Sequence, residues 1–245
     1  MTAFWEKAAA EPALLRESER YLLLYKPPRF HTAPLHAVQS GESGTLLEWA
    51  AKRYPDILAV TGHRAGEGGL LSRLDYETQG LVLIARTQKL FDDLKGGFIK
   101  KYEAFSRGGS APRGFPPLEK ALPVDGGAFS LSSAFRPYGP GRKAVRPVVR
   151  VSGGVRVYTT EGAAADKSAG TTGSDGSGGL GGFFFRVTIK RGFRHQIRCH
   201  LAWAGYPLLN DSVYGGTPDG GFLALRAGAL SFNDGVERID YTLEP

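Results

Sequence analysis

The segment "LLSRLDYETQGLVLIA", Leu70 to Ala85, constrains the fold more than any other. Leu81 to Ala85 is a compact apolar run that has to be buried, and Leu70 and Leu71 open the segment in the same way. Between them stand Arg73, Asp75, Glu77 and Gln79. A strand buried on both faces cannot carry ionisable groups unless they are satisfied or used. The segment is therefore expected to form two apolar elements joined by a polar loop, with Gly80 letting the chain re-enter the sheet.

The other elements follow from local pattern. Tyr21 to Tyr25 reads as a strand stopped by Pro27 and Pro28, which lack amide donors. "TLLEWAAKRYP" predicts a helix with Thr45 and Glu48 at capping-box spacing. Thr87 caps a second helix with Leu90, Phe91, Leu94 and Phe98 on one face. "VVRVSGGVRVY" reads as strand, and "FFFRVTIK" alternates cleanly. Residues 162–182, between them, hold one large apolar residue, Leu180, and are expected to be a flexible loop at the tip of a long hairpin. A helix is expected from about Arg194, burying Ile197, Leu201 and Ala204 and stopping at Gly205. "FLALRAGALSF" and "ERIDYTLEP" complete the strands. The pattern is α+β, dominated by strands and hairpins.

With 245 residues and 42% hydrophobic content the chain can bury a full core. No apolar run approaches the ~20 residues that span a bilayer. Residues 1–20 read as an N-terminal extension, with Glu6, Lys7 and Glu11 where a signal peptide needs apolar residues. Cys199 is the single cysteine, which excludes an internal disulfide and fits a reducing cytoplasm. The net charge of +7 favours a polyanionic partner. No metal or nucleotide site is expected, since ligand-spaced histidines, cysteine pairs, a P-loop and a GxSxG elbow are all missing from the sequence. Asp75 keeps two readings on spacing alone. It is either a turn aspartate bonded to its own backbone, or a cleft carboxylate kept ionised by a guanidinium.

The whole string "LSRLDYETQGLVLIAR" resembles the HRLDxxTSGLLLxAR signature of RluA-like pseudouridine synthases. In family order along the chain, "YKPPRF" is similar to NKPxG, "IKKYEAF" to KxYxA, and "GRKAVRPVVRV" to the GKxAxTxYxV strand. "RGFRHQIRCHLAWAGYPLLNDSVYGG" resembles TGRTHQIRVHLxxxGxPIxGDxxYG, and "LALRAGALSF" resembles LHAxxLxF. These segments run from about Tyr21 to Phe232. Departures are Ser72 for the histidine of HRLD, Gln79 for the serine after Thr78, Phe193–Arg194 for the Arg–Thr of GRTHQIR, and Arg226 for the histidine of LHA.

The resemblance implies a mixed, largely antiparallel sheet flanked by helices, with a central RNA-binding cleft, in one catalytic domain over 1–245 without an S4-type domain. It implies isomerisation of uridine in ribosomal or transfer RNA without a cofactor; the protein is expected to be cytoplasmic and, by default, a monomer. Asp75 would attack C1′ or remove a ribose proton. Arg198 would pair with it, and Tyr102 would lie against the flipped uracil. Arg73 would fill the stack vacated by the extruded nucleotide, and Leu225 would pack beneath the base. Arg194, Lys100 and Lys101 would meet phosphates, with His195 and Gln196 also contacting substrate. Two rivals remain: a non-catalytic RNA-binding protein of the same fold, and a glycosidase, which would need a second carboxylate such as Glu77.

Overall fold

A computed structural model of the chain describes residues 3–34, 44–123, 125–165 and 181–244. The fold is mostly strand, with few helices, and the pairings whose register is defined are antiparallel. The chain forms two compact units, Met1–Lys7 with Lys101–Arg226, and Ala8–Lys100 with Ala227–Pro245.

In the second unit β1 (Ala13–Glu17) pairs with β2 (Tyr21–Lys26), and β2 with β3 (Gln79–Ala85). All seven residues of β3 are buried, as the apolar run requires. β9 (Leu225–Asn233) follows β3 and pairs in turn with β10 (Arg238–Thr242). The sheet packs on α2 (Gln88–Leu94) through Tyr21, Leu23, Leu81, Leu83, Leu90 and Phe91. Phe98 joins this cluster from beyond the helix, because the helix stops at Leu94 and Gly97 turns the chain with φ +125°. α1 (Leu46–Ala51) begins with the expected capping box, Thr45 and Glu48 each accepting from the other's backbone N–H. β1 lies inside the segment read as an extension.

The first unit contains most of β4 (Ile99–Ser106), together with β5 (Ala128–Tyr138), β6 (Ala144–Val148), β7 (Tyr158–Ala165), β8 (Phe183–Ile189) and α3 (Gln196–Trp203). Its strand order is β4-β8-β7-β5-β6. β8 pairs antiparallel with β7, as the expected hairpin requires, but the first strand is Tyr158–Ala165 rather than the segment Val148–Tyr158. Of the proposed loop 162–182, residues 162–165 belong to β7 and 166–180 lie outside the described residues. The strand expected over Val148–Tyr158 is interrupted. Residues 149–157 leave the sheet around a turn at Ser152–Val155, where Gly154 has φ +85°.

Candidate active site

The polar interruption is a loop whose main chain is tied down on both sides of Asp75. Before it, the Leu74 N–H donates to the Thr32 hydroxyl at 3.1 Å, and that hydroxyl donates to the Leu74 carbonyl at 2.8 Å. After it, the Tyr76 carbonyl accepts from the Phe30 N–H at 3.3 Å and from Lys26 Nζ at 3.2 Å. The turn itself is closed by the Thr78 N–H on the Asp75 carbonyl at 3.0 Å. Gly80 is demanded by close approach, since a Cβ there would lie 2.3 Å from the Ala227 carbonyl and φ is +120°. The Asp75 side chain is half-buried.

Lys26 was not among the expected site residues. It is fully buried, and Nζ also donates to the carbonyls of Pro27 at 2.8 Å and Phe30 at 2.7 Å. Three ammonium hydrogens thus meet three carbonyl oxygens. Burial pushes the Lys26 pKa down to about 7, while the charges of Asp75 and Glu77 pull it upward. The signal lay in "YKPPRF": a lysine ending an apolar strand just before two prolines cannot follow the chain into solvent. Arg73, in the same loop, donates to Glu67 at 2.8 Å and keeps 45% of its side chain exposed.

In the other unit Arg198 is held by a fork. Nε donates to Asp211 Oδ2 at 2.8 Å and Nη2 to Oδ1 at 2.7 Å, with side-chain exposures of 4% and 0%. Asp211 Oδ1 also accepts the N–H groups of Val213 and Tyr214 at 3.0 and 3.2 Å. Asp211 is the second residue that reading the sequence missed. It stands in the quoted run "NDSVYGG", but only its packing reveals it as the partner of Arg198.

α3 is buried on every side, against the expectation of one apolar face. Its polar residues are satisfied from neighbouring strands. His200 meets Thr160 Oγ1 at 2.8 Å and Ser133 Oγ at 3.0 Å, and burial pushes its pKa down to about 3. Gln196 donates to the Thr159 carbonyl and Thr160 hydroxyl and accepts from the Phe193 N–H. Its amide is thus occupied within the protein rather than presented for substrate. The helix begins later than expected because His195 takes the left-handed conformation, φ 56°, with Nδ1 3.4 Å from the Tyr214 hydroxyl. Arg194 is exposed and donates to the carbonyls of Arg142 and Ala144 at 2.9 and 3.2 Å.

β4 places Tyr102 in the interior at 6% exposure and Lys101 outward. Lys100 is buried, with Nζ 4.3 Å from the Phe98 ring centre and its pKa lowered by burial to about 8. It is not the surface cation expected. Leu225 is buried at the start of β9, and Arg226, which replaces the family's histidine, donates to Glu103 at 2.7 Å. Among the described residues no group of three or more His, Cys, Asp or Glu could hold a metal, and no helix is long and apolar enough to cross a membrane.

No family model matches the chain. It is 28% identical over 217 residues to the ribosomal large subunit pseudouridine synthase D of Pasteurella multocida, a match covering 84% of this chain and 53% of that protein. The protein of the same name from Blochmanniella floridana is 30% identical over 180 residues (71% and 45% covered), and that of Escherichia coli 25% over 230 residues (87% and 57%). The chain thus spans about half the length of these curated relatives. Among solved structures, human RNA pseudouridylate synthase domain containing 1 superposes with a TM-score of 0.58 at 17% identity, covering 96% of this chain and 84% of that one. Human RNA pseudouridylate synthase domain containing 4 gives 0.55 at 17% identity, covering 94% and 87%. These structures share the fold, and the curated relatives share the sequence across most of the chain. The chain is thus similar in sequence to ribosomal large subunit pseudouridine synthases over most of its length and has the fold of pseudouridylate synthase domains.

Proposed function

We propose that the protein isomerises uridine to pseudouridine in RNA, with Asp75 as the carboxylate that acts on the sugar. The observation that carries this reading is the loop around Asp75, in which the residues on either side are bound through their main chain. Fixing the backbone fixes the origin of the side chain, as a group that must meet one ribose carbon requires. The C1′–N1 bond breaks and a C1′–C5 bond forms. The proton on C5 then leaves, and N1 is protonated. Water is not consumed, so one carboxylate suffices where a glycosidase needs two.

In this proposal Arg198, oriented by Asp211, supplies the guanidinium that pairs with Asp75. Tyr102 serves the base and assists loss of the C5 proton, while Leu225 supplies apolar surface. Arg73 occupies the gap left by the flipped nucleotide, and Lys101, Arg194 and His195 face the RNA backbone. Gln196 acts indirectly, by fixing the turn that presents His195. The curated relatives are named for the ribosomal large subunit, so ribosomal RNA is the first substrate to try, with transfer RNA second. A cytoplasmic location and a monomeric state belong to the same proposal.

Tritium release from ribosomal and transfer RNA labelled at uridine C5 tests the reading. Release without free uracil is the expected result. Free uracil would favour a glycosidase working with Glu77, and tight RNA binding without release would favour a non-catalytic RNA-binding protein.

A further inference from the structure

One ribbon of the chain is strongly basic. Between Arg136 and Arg156 the sequence carries six basic residues, Arg136, Arg142, Lys143, Arg146, Arg150 and Arg156, and no acidic one. All are exposed except Arg146, which is half-buried. Among the described residues none of the six forms an ion pair with a carboxylate. Arg136 and Arg146 face each other directly across the antiparallel β5–β6 pair. Residues opposed in this way have Cβ atoms about 4.5–5.5 Å apart, where like charges oppose folding. No acidic residue of the ribbon relieves them.

The ribbon is rigidly founded. Its tip, where Gly139, Gly141 and Arg142 all have positive φ, is held by Arg194 on the carbonyls of Arg142 and Ala144. The Tyr214 hydroxyl bonds Val145, and Phe193 stacks on Phe135 with ring centres 5.0 Å apart. These contacts fix the ribbon to the turn that leads into α3. Next to it, Ser133 faces Tyr158 while its neighbour Ala134 faces Val148, so residues 149–157 form an excursion from the ladder. The excursion is exposed throughout and carries Val-Arg-Val on each side of its Ser-Gly-Gly turn. Its four valines are 37–49% exposed.

We propose that the β5–β6 ribbon and its 149–157 arm form a docking surface for an RNA duplex flanking the target nucleotide. This rests on the function proposed above and adds where the substrate is gripped outside the reacting base. Closely opposed arginines without carboxylates call for a partner with regularly repeated negative charge, and guanidinium forks match phosphate oxygens two at a time. The exposed valines suit the wide, shallow minor groove of an A-form helix, where sugar edges offer apolar surface. Backbone contacts of this kind position a substrate without reading its sequence.

The test is the binding of a 20-base-pair RNA duplex made only of G·C pairs, which contains no uridine and so reports docking independently of isomerisation. Wild-type protein and the variant Arg136→Gln/Lys143→Gln/Arg150→Gln/Arg156→Gln are titrated between about 50 and 200 mM salt, where each phosphate contact contributes roughly 0.9 to the log–log slope. The variant is expected to melt like wild type, to bind at least about tenfold more weakly, and to show a slope shallower by about 3.6 if each of the four cations meets a phosphate. Equal affinity and slope for the two proteins, or no wild-type binding, would overturn it. So would a wild-type dimer in sedimentation that Val151→Ser/Val155→Ser converts to monomer while RNA binding stays unchanged, since the arm would then be a contact between copies.

Discussion

Asp75 stands in a loop whose main chain is tied down, whereas Arg198 stands in a helix whose side chain is tied down. Around Asp75 the partners are backbone carbonyls and amides, gathered by Thr32, Phe30 and the buried ammonium of Lys26. Arg198 is forked by the carboxylate of Asp211, itself fixed by two backbone N–H groups. The first arrangement positions a carboxylate through the main chain on either side of it. The second orients a guanidinium within the protein, on a helix with no wet face. A group that has to react is placed through its backbone, while a group that has to orient can be locked at its own head.

The contrast predicts different failures. Asp211→Ala leaves a buried guanidinium without its fork and is expected to lower stability by about 3–5 kcal/mol, read as a reduced urea midpoint. Asp211→Asn keeps the volume and one acceptor and should lose less. Lys26→Met deprives three carbonyls of their donor and is expected to cost about 1–3 kcal/mol. Because one of them belongs to Tyr76, it should also slow turnover at saturating RNA by at least about tenfold, roughly 1.4 kcal/mol of barrier. A Lys26→Met protein with wild-type turnover would mean that the loop does not need its clamp.

The smallest effect is a dependence on pH. His200 stays neutral when folded down to about pH 3, whereas in the unfolded chain it takes up a proton near its ordinary 6.5. Its contribution is complete above about 6.5 and is lost as pH falls from 6.5 toward 3. Melting temperatures across that range should fall less steeply in His200→Gln than in wild type. Parallel curves would show that His200 is not the group responsible.

What the sequence disclosed was local. The apolar run of β3, the Thr45–Glu48 box and the Thr87 cap are written in neighbouring residues, and each formed where expected. The burial of α3 was hidden because its satisfaction is long-range: Asp211 for Arg198, and Ser133 and Thr160 for His200. Lys100 was misread as a surface cation although it shares a face with Tyr102 by the two-residue period of β4, so burying the tyrosine takes the lysine with it. The strand over Val148–Tyr158 failed for a different reason. Its valine alternation is sound, but the Ser-Gly-Gly turn folds the chain out of the ladder. Within the site, the resemblance singled out Asp75, Tyr102 and Arg198. It gave no role to Lys26 or Asp211, whose work is done on other residues.

The decisive measurement is single-turnover conversion of a uridine-containing RNA substrate by wild type and by Asp75→Asn, with RNA affinity measured in parallel. The amide keeps the size of the side chain and lacks its charge. The account predicts that Asp75→Asn binds RNA within a few-fold of wild type and forms no detectable pseudouridine. Conversion by Asp75→Asn at a rate near that of wild type would contradict it.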